Sequence, residues 1–223
     1  QTRAQTRGIT PVSAPRGMVA SSSSHASRAG VEVLRRGGNA VDAAIAVGLA
    51  LAVTYPSAGN LGGGGFMLVR KPDGTAEALD FREAAPAAAR PNLYQNAAGE
   101  VIPGASTVGH RAAGIPGTVA GFDEARRRYG RLPWADLIRP AERLAEKGFP
   151  VSEALARELR SESVLAKFAE SKRIFLRDGR FYEHGETFRQ PDLARTLRRL
   201  REKGPREFYE GETARLLVAE MER

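Results

Sequence analysis

Residues 40–53 constrain the fold more than any other segment, because as a helix they are apolar on nearly every face except at Asp42. The segment is too short to cross a bilayer, which needs ~20 apolar residues. Such a helix has to be covered on all sides by the rest of the protein. Asn39 is placed to cap its start, and Tyr55-Pro56 ends it. The sequence therefore predicts a buried central helix.

A glycine-rich hairpin is predicted next along the chain. Four consecutive glycines, 62–65, precede a strand-like run at 66–69, the turn Pro72-Asp73-Gly74 and a second strand-like run at 75–81. Because glycine has no side chain, it allows backbone to approach backbone or ligand closely. Helices that lead into a buried hairpin indicate helices layered on a sheet, which is an α+β arrangement.

Side chains alternate between the two faces along the second run of the hairpin. Leu79 and Phe81 share one face, and Asp80 and Arg82 share the other. The hairpin therefore presents an arginine at its far end.

Periodicity, caps and breakers predict the remaining elements. Ser24 is the expected N-cap of a first helix that ends at Gly37-Gly38, and residues 84–113 form a long irregular connection. Pro140 is expected to kink or split a helix at 134–147. The other expectations are an arm at 1–16, a short strand at 18–20, a helix ending near 129, a helix capped by Ser152, a hairpin around Asp178-Gly179, a helix at 192–203 and a helix at 207–221 interrupted near Gly211.

Composition excludes several classes of protein. The chain has 223 residues and no cysteine, so disulfides, thiolate zinc sites and cysteine nucleophiles are excluded. The formal net charge is +8, but the arginines are interleaved with glutamates and accompany no nucleic-acid-binding motif. We therefore assign the charge to solvated helix faces or to a contact with a partner chain. After the arm, residues 17–223 are expected to belong to one domain.

Common catalytic and binding motifs are absent from the sequence. Phosphate loops place glycines between a strand and a helix, whereas here the order is helix, glycines, strand. His25, His110 and His184 are far apart and lack the close partners of a compact metal site, and no Gly-x-Ser-x-Gly elbow occurs. The sequence therefore predicts neither a metal site nor a cofactor.

Arg82 has two interpretations. A guanidinium is a planar fork that binds a carboxylate through two hydrogen bonds. The same side chain next to Asp80 and Glu83 is also typical of a structural ion pair, and spacing alone favours that second reading.

Six motifs resemble those of gamma-glutamyltransferases. They are GNAVDAA at 38–44, AGNLGGGGFML at 58–68, DFREAAP at 80–86, PGTVAG at 116–121, GFPVS at 148–152 and FYEG at 208–211. Together they span nearly the whole chain after the arm.

The resemblance implies an N-terminal nucleophile hydrolase with a four-layered αββα sandwich, incomplete in this chain. Such enzymes are made as one precursor that cuts itself into a large and a small subunit, and this chain is similar to the front part of the large subunit. The nucleophile of the family is a threonine at the start of the small subunit, so no catalytic residue is expected here. Arg82 matches the arginine that holds the α-carboxylate of the γ-glutamyl group.

The expected activity is transfer of the γ-glutamyl group of glutathione to water, amino acids or peptides. The expected partner is the small subunit, and the family implies a periplasmic or secreted location. A related acylase that removes glutaryl groups from cephalosporins, and a non-catalytic binding subunit, are the alternatives. The chain alone is expected to be inactive.

Overall fold

The central helix lies where the sequence predicts it. The structure, a computed structural model, describes residues 12–162 and 164–222, and its first two helices are α1, Ser24–Arg35, and α2, Ala40–Thr54. Of the 15 residues of α2, 11 are buried, but Ala44 is exposed and Gly48 is only half-buried, because that side of the helix lines an open cleft beside the hairpin. The expectation that the helix is covered on all sides is therefore only partly met by the described residues. Helices α1 and α4 (Trp134–Lys147) pack against it, and α7 (Pro191–Lys203) packs on α4.

The start of α2 is fixed by reciprocal capping. The Asn39 side chain accepts hydrogen bonds from the backbone of Val41 and Asp42, and Asp42 Oδ2 accepts one from Asn39 N at 2.9 Å. Asp42 is fully buried and also accepts from Arg131 N at 3.0 Å, which fastens the loop between α3 (Thr118–Tyr129) and α4. The prediction for Asn39 is confirmed.

The prediction that Ser24 caps α1 is wrong. The helix already includes Ser24, and the N-cap position is Ser23, whose side chain makes no capping hydrogen bond. The hydroxyl of Ser21 instead donates to Ser23 O and pairs with the Ser27 hydroxyl, so local side chains organise this turn.

The hairpin is antiparallel, with β1 at Phe66–Arg70, β2 at Ala76–Asp80, and Phe66 opposite Asp80. In the turn, Thr75 N donates to the Asp73 carboxylate at 2.9 Å, which explains the turn signal. Leu79 is buried against the helices, whereas Leu68 on the opposite face is 82% exposed. The predicted alternation is therefore confirmed.

Residues 84–113 are irregular as expected, apart from a short 3₁₀ turn at His110–Ala112. Ser152 caps α5 as predicted, since its hydroxyl accepts from Leu155 N at 3.1 Å. The interruption at Gly211 is also confirmed. The remaining elements are β3 (Phe149–Pro150), α5 (Glu153–Ser161), a 3₁₀ turn (Leu165–Lys167), α6 (Ala169–Phe175), β4 (Leu176–Arg177), β5 (Arg180–Phe181), β6 (Thr187–Phe188), α8 (Glu207–Glu210) and α9 (Glu212–Met221).

Two other expectations differ from the structure in whole or in part. Helix α4 continues through Pro140 without a split, because Leu137, Ile138 and Ala141 around it are completely buried and packing holds the helix together despite the lost hydrogen bond, and the kink that was the other expected outcome stays a prediction. Residues 18–20 form no strand, because no described strand pairs with them, and Val19 packs against the core. Residues 1–11 of the expected arm lie outside the described residues.

The arginines of α7 are not simply a solvated face. Arg198 Nε and Arg201 Nε donate to the buried Glu142 carboxylate at 3.1 and 2.6 Å, and Arg199 Nε lies 3.3 Å from the buried Glu207. Burial raises the pKa of Glu142, but the two guanidinium groups outweigh that effect and hold it below its usual range. Part of the positive charge is therefore internal and holds α7 to its neighbours.

The described residues form a mixed helix and strand structure with three separate two-stranded sheets. The helices lie against one face of the hairpin, and a complete four-layered sandwich stays a prediction. Among residues 12–162 and 164–222, no helix is both long and apolar enough to cross a membrane.

Candidate functional site

Arg82 lies just past the end of β2, and its side chain is 64% exposed. Its backbone N–H donates to Asp80 Oδ1 at 3.0 Å, so the Asp80 carboxylate binds the main chain. The nearest acid to the guanidinium is Glu83, with Nε 3.7 Å from Oε2, and the guanidinium carbon lies 5.9 Å from the centroid of the Phe66 ring. The guanidinium donates no hydrogen bond to any described residue, so its fork is available to a ligand.

The backbone on both sides of Arg82 is enclosed by three glycines from two segments. A Cβ added to Gly64 would lie 2.6 Å from Phe81 O and 2.7 Å from both Arg82 Cα and Glu83 N. A Cβ on Gly117 would overlap the Phe81 carbonyl, and one on Gly121 would overlap the Phe81 side chain. We call Gly64, Gly117 and Gly121 the glycine clasp.

The clasp depends on close approach and not on unusual backbone angles. None of the glycines 62–65 has a φ in the left-handed region. A Cβ on Gly62 would meet no atom within 4 Å, so Gly64 is the member of the run that touches the Arg82 backbone most closely. The expected close backbone packing is therefore confirmed. Within the run of four glycines, Gly64 is the one that packs against the Arg82 backbone.

The loop that carries the glycines is bound to the start of α3. Asn60 Oδ1 accepts hydrogen bonds from Gly63 N at 3.0 Å and from the Thr118 hydroxyl at 2.5 Å. Gly63 O accepts from Gly117 N at 2.8 Å and from Thr118 N at 3.0 Å. Two segments distant in sequence are thus locked together beside Arg82.

Tyr209 supplies a cap that Gly117 cannot provide. Gly117 is the N-cap residue of α3 and has no side chain to accept from the free N–H groups of the first turn. Tyr209 Oη accepts from Ala120 N at 3.0 Å and donates to Pro116 O at 3.1 Å. Burial raises the pKa of Tyr209, and the bond from Ala120 opposes that rise. No local sequence signal marks Tyr209 as a cap, although it lies in the FYEG motif.

A cleft of about 490 Å³ adjoins Arg82. It lies between the DFREAAP segment and the irregular connection, and its lining includes Arg82, Arg90, Arg111 and Tyr94. The exposed side chains of Arg90 and Arg111 have no carboxylate within ion-pairing distance among the described residues. Neither arginine was predicted as a site residue, because no motif or spacing marks them.

The three histidines do not come together. His25 packs against the ring of Phe149, with 5.3 Å between centroids, and burial lowers its pKa. His110 Nε2 lies 3.4 Å from the Glu220 carboxylate, and His184 is exposed. In the described part of the chain, no group of three or more histidines or acids is arranged to hold a metal ion.

Comparison with known proteins gives consistent results. A family profile described as Gamma-glutamyltranspeptidase matches residues 26–223. The chain is 47% identical over 215 residues to a glutathione hydrolase proenzyme of Escherichia coli K12, covering 96% of this chain and 37% of that protein. The chain thus spans only a little over a third of the length of that relative.

Solved structures agree with the sequence comparison. The gamma-glutamyltranspeptidase of Helicobacter pylori matches with a TM-score of 0.92 and 42% identity, over 95% of this chain and 62% of that one. A cephalosporin acylase from Bacillus halodurans matches with a TM-score of 0.81 and 30% identity, over 97% of this chain and 42% of that one. From the extent of the profile match and the identity to these relatives, the chain belongs to the gamma-glutamyltranspeptidase family.

Proposed function

We propose that this chain is the front part of the large subunit of a gamma-glutamyltransferase and supplies Arg82 to bind the α-carboxylate of a γ-glutamyl substrate. The assembled protein is a four-layered N-terminal nucleophile hydrolase, completed by a small subunit from the same precursor. Its substrates are glutathione and related γ-glutamyl compounds, and its acceptors are water, amino acids or peptides. By family resemblance, it works in the periplasm or outside the cell.

The proposed reaction needs a residue that this chain does not carry. The hydroxyl of an N-terminal threonine on the small subunit attacks the γ-carbonyl carbon, with its own α-amine as the base. The C–N bond of the amide breaks, the leaving amine takes up the proton, and an ester forms on the threonine. Water or an acceptor amine then attacks the ester and releases the threonine hydroxyl. Residues 1–223 alone are therefore expected to release no product from γ-glutamyl-p-nitroanilide.

The observation that carries the proposal is the state of Arg82. Its side chain is mostly exposed, its fork makes no hydrogen bond to a described residue, and the backbone around it is enclosed by the glycine clasp. A fixed backbone below an exposed guanidinium, whose Nε lies 3.7 Å from Glu83 Oε2, is an arrangement that suits a binding arginine, because less backbone conformational freedom is lost when the ligand binds.

Kinetics of the mature full-length enzyme test this assignment. Arg82→Gln removes a charged two-hydrogen-bond contact, so we expect KM for γ-glutamyl-p-nitroanilide to rise by about 10- to 100-fold. Arg82→Lys should be intermediate, because an ammonium cannot form the planar fork. Arg70→Gln is the matched control, since Arg70 is exposed at the end of the neighbouring strand. An Arg82→Gln enzyme with the KM of the control would remove Arg82 from the substrate site.

The likeness to the cephalosporin acylase keeps a second function open. A glutaryl group carries a carboxylate but lacks the α-amino group, so an arginine alone does not separate the two substrates. Turnover of matched γ-glutamyl and glutaryl amides by the full-length protein distinguishes them. We expect the γ-glutamyl amide to be preferred, and faster cleavage of the glutaryl amide would favour the acylase.

A further inference from the structure

We propose that Arg90 and Arg111 form a second carboxylate site that selects leaving groups and acceptors with a free carboxylate. This inference rests on the proposed function, in which Arg82 holds the first carboxylate of the substrate. It assigns a purpose to two arginines that the γ-glutamyl site does not use.

The cleft beside Arg82 has an unbalanced charge. Among the described residues, three arginines, Arg82, Arg90 and Arg111, line the cleft, and Glu83 is the one acidic residue in its lining. To the described residues, the Arg90 side chain donates one long hydrogen bond of 3.4 Å, to Ala89 O, and the Arg111 side chain donates none, although the Arg111 backbone carbonyl accepts a bond from the Tyr94 hydroxyl. Positive charges that outnumber acids in one cleft raise its positive potential, and an anionic ligand is favoured there.

Hydrogen bonds hold the irregular connection at several points, so the backbone positions of the two arginines are defined. Ala84 and Ile115 exchange backbone hydrogen bonds of 3.2 and 2.8 Å across the two ends of the connection. Inside it, Tyr94 O accepts from Ile102 N at 2.8 Å, and the Tyr94 hydroxyl donates to Arg111 O at 3.3 Å. Tyr94 therefore ties the part of the connection that carries Arg90 to the part that carries Arg111.

The size of the cleft fits a peptide-like acid. Its volume of about 490 Å³ lies in the ordinary range for sites of small ligands, and its other lining residues are mostly alanine and proline. A γ-glutamyl compound whose leaving amine is an amino acid or peptide carries one carboxylate at each end. Arg82 binds the first, and Arg90 and Arg111 bind the second with two further forks.

A pair of substrates that differ only in the second carboxylate tests the site in the mature full-length enzyme. We compare γ-glutamyl-glycine with γ-glutamyl-glycinamide for wild type, Arg90→Gln, Arg111→Gln and the double variant, with Arg70→Gln as the control. The double variant should lose about tenfold or more in kcat/KM for the acid and less than about twofold for the amide. Added salt should weaken the preference of the wild type for the acid. In the transfer reaction, glycylglycine and glycylglycinamide distinguish the acceptor from the leaving group.

The outcomes separate this inference from the proposed function. Equal losses for the acid and the amide, or none for either, would overturn the second site. A lower melting temperature or loss of the two-chain product, without a change in preference, would assign the arginines to subunit contact and overturn it too. Arg82→Gln should lower kcat/KM for both substrates. If Arg82→Gln lowers kcat/KM for both substrates while the double variant keeps the wild-type preference for the acid, only this inference fails. If Arg82→Gln lowers kcat/KM for neither substrate, the proposed function fails.

Discussion

The substitution Gly64→Ala tests whether the clasp positions Arg82. The added Cβ would lie 2.6 Å from Phe81 O and 2.7 Å from Arg82 Cα and Glu83 N. All three are backbone atoms, so no side chain can rotate away. Since Cβ contacts under 3.0 Å are essentially never found, the 81–83 backbone has to retreat by at least about 0.4 Å. That retreat changes where the guanidinium meets a carboxylate.

We expect Gly64→Ala to lower kcat/KM for a γ-glutamyl amide by about 10- to 100-fold, because displacements near 1 Å in a positioning element have effects of that size. Overpacking should also lower the free energy of unfolding by about 1–3 kcal/mol. Both quantities are measured on the mature full-length enzyme, by initial rates and by urea denaturation.

Gly62→Ala is the matched control, two residues away in the same glycine run. Its Cβ meets nothing within 4 Å, and its φ is not left-handed, so activity and stability should stay close to wild type. If Gly64→Ala and Gly62→Ala gave the same kinetics, the backbone contact would have no part in positioning Arg82.

Two further predictions concern a cap and a charge pair. Tyr209→Phe leaves Ala120 N without its acceptor and should lower the free energy of unfolding by about 1–2 kcal/mol, whereas Tyr182→Phe removes a hydroxyl that bonds no described residue and should cost less than about 0.5 kcal/mol. Equal costs by urea denaturation would count against the cap. Hydrogen bonds from Arg180 and, to a smaller extent, from the Glu183 backbone N–H lower the pKa of Glu186 to about 2. The stability that this contact provides is fully present above the pKa of Glu186 in the unfolded chain, about 4.3, and is lost as the pH falls toward 2. The thermal midpoint of wild type should therefore exceed that of Glu186→Gln by less and less over that range. A constant difference in midpoint would contradict this prediction.

Helix caps and buried helices could be predicted from the sequence, because the residues that determine them lie within a few positions of each other. Asn39 and Asp42 cap α2 with each other across three positions, and the apolar run after them has no polar face. Pro140 shows the limit of local reading, because buried neighbours on α4 keep the helix in one piece where the isolated sequence favours a break.

The site itself needed contacts between residues far apart in sequence. Tyr209 caps Ala120 across 89 positions, and no periodicity or spacing announces such a bond. The interleaved charges of α7 suggested a solvated face, yet Arg201 reaches the buried Glu142 on another helix. Arg82 could be named from the motif that it shares with the family, while its exposed guanidinium, enclosed backbone and neighbouring arginines are visible only in three dimensions.

The backbone contacts around Arg82 favour the proposed binding role over a structural one. An arginine that stabilises a fold does so through its side chain, as Arg201 does on Glu142. The side chain of Arg82 is 64% exposed and contributes little of this kind, so its position has to be set through the backbone. Fixing the position of a backbone segment requires other backbone to pack against it, and glycine permits that close packing because it has no side chain. Gly64 and Gly117 meet that requirement at Phe81 and Arg82, and the Tyr209 hydroxyl replaces the cap that Gly117 gives up. An arginine kept only for surface charge would need none of these contacts.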